Sequence, residues 1–335
     1  MITIKSKVNR HLLTFIFFLI LYSQLVSADD TLTPAPISGR HVVNDDLLPS
    51  DVLARVKLCR EEIDLIRLEM GQSAQPFEAF AVNNAAPREV FFQALSLFRK
   101  ANRLSYELTG MKANEPKVPE RHIYPADVWK VVDSALKRIL LSKKALAIRE
   151  TAVEKHQESS KQPSDVYRSI VQANRQINSL LEKRFSPSDV FQRVTLAINY
   201  TSNLLDRYPE LELVTLEQKF VRRKRPVDVY HLLVECFELI NAIAKKADLK
   251  MLSLPSDETK ATTKTPSDVY DMASLLISEL DYLHKQLPNS PDIRKSYYPG
   301  SKLPSHVFQR ASLLKDLLMK LKKSVDKNPK NLITG

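Results

Sequence analysis

A chain of 335 residues, 44% hydrophobic and 27% charged, has the composition of one large or two ordinary globular domains and not of a disordered protein. Five glycines leave little room for glycine-rich phosphate loops, and two cysteines exclude a disulfide scaffold. The formal net charge of +11 favours long-range attraction to anionic surfaces such as lipid head groups, polyanionic glycans or nucleic acid, without marking a site.

Residues 1–28 read as a secretory signal peptide. Lys5, Lys7 and Arg10 form a positive start, Leu12 to Leu21 an apolar run, and Val26-Ser27-Ala28 a small-residue cleavage site. The apolar run is short for an uncleaved anchor. Losing the three basic residues lowers the formal charge from +11 to +8. No later stretch has 18 unbroken apolar residues, so the exported chain is expected to be soluble, periplasmic or extracellular. Residues 29–48 form an N-terminal extension.

Eight repeated motifs follow. They read Pro49-Ser50-Asp51-Val52, Pro87-Arg88-Glu89-Val90, Pro125-Ala126-Asp127-Val128, Pro163-Ser164-Asp165-Val166, Pro187-Ser188-Asp189-Val190, Pro226-Val227-Asp228-Val229, Pro266-Ser267-Asp268-Val269 and Pro304-Ser305-His306-Val307. The prolines are 38, 38, 38, 24, 39, 40 and 38 residues apart. Each motif reads as a helix start. Proline at the first helical position gives up an N–H that has no partner there, and its φ is already helical. The acid two residues on faces the free N–H groups of the first turn. Ser186 and Thr265, just before their prolines, add the other half of a capping box with Asp189 and Asp268. The repeated carboxylates are therefore caps and not a catalytic series.

Counted from each proline, offsets 3, 7, 10, 14 and 17 are apolar, with Thr201 and Ser142 the exceptions. Alternating steps of four and three give the seam of a left-handed helix bundle. The aromatic-rich offset 4, which includes Phe91, Trp129 and Tyr167, packs beside that seam. Each helix runs about 20–24 residues, roughly 33 Å, and Gly71 and Gly110 stand where C-caps are due. Ordering one such helix costs more than burying its stripe returns, so the helices must pack together.

The expected fold is all-α: an eight-helix bundle or helical-repeat array with one long helix per ~38-residue repeat. The short step separates helices one to four (49–185) from helices five to eight (186–328), with a tail at 329–335. Two packed four-helix halves and one continuous array both fit this spacing. The long connectors carry apolar pieces, at Phe77 to Phe80, Leu211 to Leu216 and Met251 to Leu254, that can cover bundle flanks.

Catalytic signatures are absent. The six histidines after the signal, His41, His122, His156, His231, His284 and His306, form no metal-binding pattern, and no nucleophile elbow, P-loop or dinucleotide fingerprint occurs. No catalytic, cofactor or metal residues are assigned. Asn199-Tyr200-Thr201 matches the glycosylation acceptor pattern but falls mid-helix. Cys59 and Cys236 share offset 10; they read as small core residues or as a disulfide between the halves. Arg222-Arg223-Lys224-Arg225 is the densest charge cluster, either solvated surface or a contact for an anionic partner. The expectation is a non-catalytic binding or scaffold protein, whose partner is a protein or an anionic envelope component and not nucleic acid. A ligand-carrying or sensor-like bundle and a basic envelope- or membrane-surface binder are the alternatives.

Overall fold

Every motif proline opens a helix. In the computed structural model, which describes residues 47–73, 82–155, 160–182, 184–208, 218–254, 262–287 and 291–332, the helices are α1 (Pro49–Glu69), α2 (Pro87–Thr109), α3 (Pro125–Ala145), α4 (Pro163–Leu180), α5 (Pro187–Leu205), α6 (Pro226–Lys246), α7 (Pro266–Lys285) and α8 (Pro304–Lys327). A short 3-10 turn, Pro329–Leu332, buries Leu332 at the end of the described chain. The signal peptide, the extension up to residue 46, the apolar pieces at Phe77 to Phe80 and Leu211 to Leu216, His41, His156 and residues 333–335 lie outside the described residues.

The caps form as the sequence requires. The third-position acid reaches back to the backbone N–H preceding each proline: Asp51 accepts from Leu48 at 2.8 Å, Glu89 from Ala86 at 2.8 Å, Asp127 from Tyr124 at 2.9 Å and Asp165 from Gln162 at 2.9 Å. Asp189, Asp228 and Asp268 do the same from Ser186, Arg225 and Thr265 at 2.7–2.8 Å. In α8 the ring nitrogen Nδ1 of His306 takes the acid's place, accepting from Leu303 at 3.0 Å. The Ser186 and Thr265 hydroxyls complete reciprocal boxes by accepting from the Asp189 and Asp268 N–H groups.

The motif serine has a role of its own. Ser164 Oγ accepts the N–H of Ala85 at 3.1 Å, Ser305 that of Lys224 at 3.1 Å, and Ser188 that of Lys302 at 2.9 Å. In each case the donor lies two residues before the proline of another helix. The start of one helix is thus tied to the start of its neighbour.

These ties reflect the architecture. Pro49, Pro87, Pro125 and Pro163 close with Val52, Val90, Val128 and Val166 around one end of an axis. Pro187, Pro226, Pro266 and Pro304 do so with their valines around another. The helices sort into two rings, α1–α3–α2–α4 and α5–α7–α6–α8, so α1 and α2, α3 and α4, α5 and α6, and α7 and α8 stand diagonally, while α2 and α3, and α6 and α7, are neighbours. Each ring is a parallel four-helix bundle. Side chains at equal offsets meet at equal height, giving five layers per bundle, and the seam residues are all 3% exposed or less. The third layer mixes sizes, with Cys59, Leu97, Ala135 and Ala173 in one bundle and Ala197, Cys236, Leu276 and Leu314 in the other, all buried in the core.

Connector length dictates direction. To start a parallel neighbour, the chain must travel back along a helix of about 30 Å, which takes at least about ten extended residues. Six connectors have 15–20 residues and can do this. Two of their described parts run along helix flanks: residues 291–303 lie on α5, where Gln192 donates to the Ser296 carbonyl and Asn199 to that of Arg294. Residues 146–155 lie on α1: Glu62, paired with the buried Lys143, accepts the Ala152 N–H, and Lys143 donates to the Glu150 carbonyl. Of the piece from Met251 to Leu254, Leu252 is buried and Ser253 forms an isolated antiparallel bridge with Asn83. The α4–α5 connector, residues 181–186, spans only about 20 Å when extended. It cannot return to the start of α4, so α5 departs from the far end and the second bundle runs antiparallel to the first.

Candidate functional site

The bundles meet where α2 crosses α7, and this contact buries charge. The second motif is the one copy with arginine and glutamate in place of serine (or alanine) and aspartate. Arg88 turns its guanidinium toward α7: it lies 2.7 Å from Glu89 and 3.3 Å from Glu279, donates to the Lys250 carbonyl at 3.0 Å, and stacks 3.9 Å over the Tyr282 ring. Glu89 and Glu279 are both fully buried, and Oε1 of each lacks a hydrogen-bond partner among the described residues. Burial raises the Glu89 carboxyl above the ordinary range; burial and the neighbouring Glu89 raise Glu279 well above it. Two carboxyls gathered around one arginine out of water favour the neutral form of one of them.

About three turns along α2, Lys100 is completely buried and grips both oxygens of Asp271, at 3.0 and 2.9 Å. Burial raises the Asp271 carboxyl and Lys100 pulls it back down. Gln93 donates to the Tyr167 hydroxyl at 3.1 Å and to the Asp271 carbonyl at 3.2 Å, and Asn174 donates to the Gln93 carbonyl. At the end nearest the short connector, Arg103 pairs with Asp189 at 2.9 Å and stacks over Phe185, whose ring packs on Tyr270. A cavity of about 20 Å³ opens beside Gln93, Tyr167, Arg175 and Asp271. That is room for about one water and far below the size of a small-molecule site. Chemically, the seam is a set of buried ion pairs in which burial favours the neutral form of a carboxyl.

None of these seam roles was visible from the repeat. Glu89 reads from sequence as a cap, which it also is. The available signal was the departure of Arg88-Glu89 from the other copies.

The two cysteines are not brought together. Both are free and buried, each in the third layer of a different bundle, with Sγ 3.9 Å from the carbonyls of Val132 and Ala311 respectively. Each seam faces its own axis, so the shared offset places them alike without placing them in contact. The disulfide between the halves is therefore corrected to two core thiols, and burial pushes both thiols well above their ordinary range.

The basic cluster lies at the N-terminal end of the second bundle. Arg222, Arg223 and Arg225 are exposed, and Lys224 is half-buried. Lys224 is occupied by the Phe308 ring, 4.1 Å away, and Arg225 by Asp228, at 3.7 Å. Arg222 and Arg223 make no ion pair among the described residues, and Arg223 holds a positive φ of 62°. Beside them Phe220 packs on the His306 ring at 5.1 Å, and the last residues before α8 bring Lys302 and Leu303 to the same rim.

The described histidines do not converge. His122 is exposed, and His284 is buried against Tyr200, with burial lowering its pKa. Among the described residues no group of three His, Cys, Asp or Glu side chains is placed to hold a metal ion, and no helix is long and apolar enough to cross a membrane. In the glycosylation pattern Thr201 is fully buried and Asn199 is bonded to a connector. By fold the chain is an all-α helical-repeat bundle of two parallel four-helix units. Comparison with known families, curated proteins and solved structures gives no match.

Proposed function

We propose that this chain is an exported, non-catalytic binding or scaffold protein that contacts an anionic partner through the basic corner of its second bundle. One observation carries the reading: Arg222 and Arg223 stand exposed at a bundle end and make no ion pair among the described residues. The buried ions, by contrast, are spent on holding the bundles in register. The field of such a corner steers anions and is weakened by salt.

The test is retention on immobilised heparin, used as a generic polyanion, across a salt gradient. The purified chain is expected to elute at clearly higher salt than the Arg222→Gln/Arg223→Gln variant, while Lys137→Gln/Lys155→Gln, which removes two exposed lysines of the first bundle, changes little. Equal elution of all three proteins would overturn the assignment to this corner.

A further inference from the structure

The basic corner also carries an apolar component that a purely electrostatic contact does not require. Phe220, Val221, Tyr297, Tyr298 and Leu303 are between 40% and 83% exposed. They are five of the twelve exposed large hydrophobic side chains in the described structure, gathered in two short segments. Those segments, residues 218–228 and 294–306, hold eight lysines and arginines (Lys219, Arg222, Arg223, Lys224, Arg225, Arg294, Lys295 and Lys302) and a single acid, Asp228. The structure joins them at the start of α8, while residues 294–296 lie farther back along α5. Lys224 is tied to Ser305 of α8, and Lys302 to Ser188 of α5. Phe220 rests on His306, whose own ring accepts the Leu303 N–H. The cap acid present in the other seven helices is missing at α8, so the rim loses a negative charge where the cations gather.

Resting on the anionic-contact reading above, we infer that the partner is an anionic lipid surface. Aromatic and aliphatic side chains interleaved with cations match the two layers of a membrane interface: charged head groups outside, acyl chains beneath. The shape points the same way. Between the four prolines at this bundle end lies a dimple of about 10 Å³, too small to seat a side chain. A yielding surface can meet these projecting residues, whereas a folded acidic protein would need a matching concavity.

Sedimentation with vesicles of phosphatidylcholine alone, or mixed with phosphatidylglycerol, tests the inference, with heparin retention run in parallel. The chain is expected to bind only the anionic vesicles. Each cation near such a surface contributes about fivefold in partitioning, so Arg222→Gln/Arg223→Gln should weaken binding about 25-fold, and Arg222→Lys/Arg223→Lys should restore it. Phe220→Ser/Leu303→Ser should weaken vesicle binding but leave heparin retention intact. Circular dichroism of each variant verifies the fold. Heparin retention without vesicle binding would overturn the lipid assignment and leave the anionic contact standing, as would vesicle binding indifferent to Phe220→Ser/Leu303→Ser. Failure of the arginine variant to change either measurement would overturn both.

Discussion

Replacing Lys100 with methionine tests how the bundles are held together. The ammonium is completely buried and meets both oxygens of Asp271 at about 3 Å. At an effective dielectric of about 20 this contact is worth roughly 5 kcal/mol of Coulomb attraction, set against the cost of taking both ions out of water. Methionine keeps most of the volume but strands the Asp271 carboxyl, whose pKa burial already raises. Removing one partner of such a pair costs about 3–5 kcal/mol, a large share of the stability of any domain. Asp271→Leu strands the lysine and should cost a similar amount. The double variant Lys100→Met/Asp271→Leu should lose about 1 kcal/mol or less, because an apolar pair of similar volume replaces the ions. Urea unfolding followed by far-UV circular dichroism measures all four proteins. A double variant as unstable as the sum of the singles, or a Lys100→Met loss below about 1 kcal/mol, would refute the reasoning.

Glu279→Gln should change the pH dependence of stability. The folded-state pKa values of Glu89 and Glu279 are raised, so their favourable contribution is complete below the ordinary glutamate value, about 4.3, and is lost as pH rises through the raised values. The wild-type urea midpoint should therefore fall on that limb, and the variant's should fall less; identical slopes would show that burial does not hold a carboxyl of the pair neutral. The two thiols should react with a disulfide reagent only after unfolding, and reductant should leave the melting temperature unchanged. Asp51→Ala and His306→Ala should each cost about 1 kcal/mol by removing the acceptor at a helix start, measured by urea unfolding, whereas His306→Asp should be nearly neutral.

Helix positions and core-facing residues were legible in the sequence because both depend on local chemistry. Proline with an acid two residues on fixes a start regardless of tertiary context, and steps of four and three fix the buried stripe. Thr201 and Ser142, the polar exceptions on the stripe, are as buried as its valines; each returns its hydroxyl to a carbonyl one turn back. Helix direction was encoded too, in connector length, but only when connector reach is compared with helix length. The charged residues of the seam were not legible. Lys100 and Glu279 both stand at offset 13, where Arg138 is half-exposed. Whether that flank meets water or another bundle depends on which helices the folded chain sets side by side. Cys59 and Cys236 show the converse: a shared offset gives a shared role and says nothing about proximity between bundles.

Eight nearly interchangeable helices raise a question of specificity, since any apolar flank could pack on any other. The buried ions answer it at α2. A flank carrying Lys100 and the Arg88-Glu89 pair is costly to bury against anything that lacks Asp271 and Glu279, and those two residues occur together on α7 alone. Without that match the ions stay in water and the bundles stay apart, which is how polar groups can specify register at some expense in stability. The departures from the repeat thus divide into two kinds. Arg88-Glu89 turns inward and selects the docking of one bundle on the other. His306 and the cations around it turn outward at the opposite helix starts, where the repeat needs only an acceptor and has no use for exposed Phe220, Val221 and Leu303. Because bundle docking accounts for the first kind of departure but not the second, the basic corner is the surface on which the proposed partner contact is to be tested.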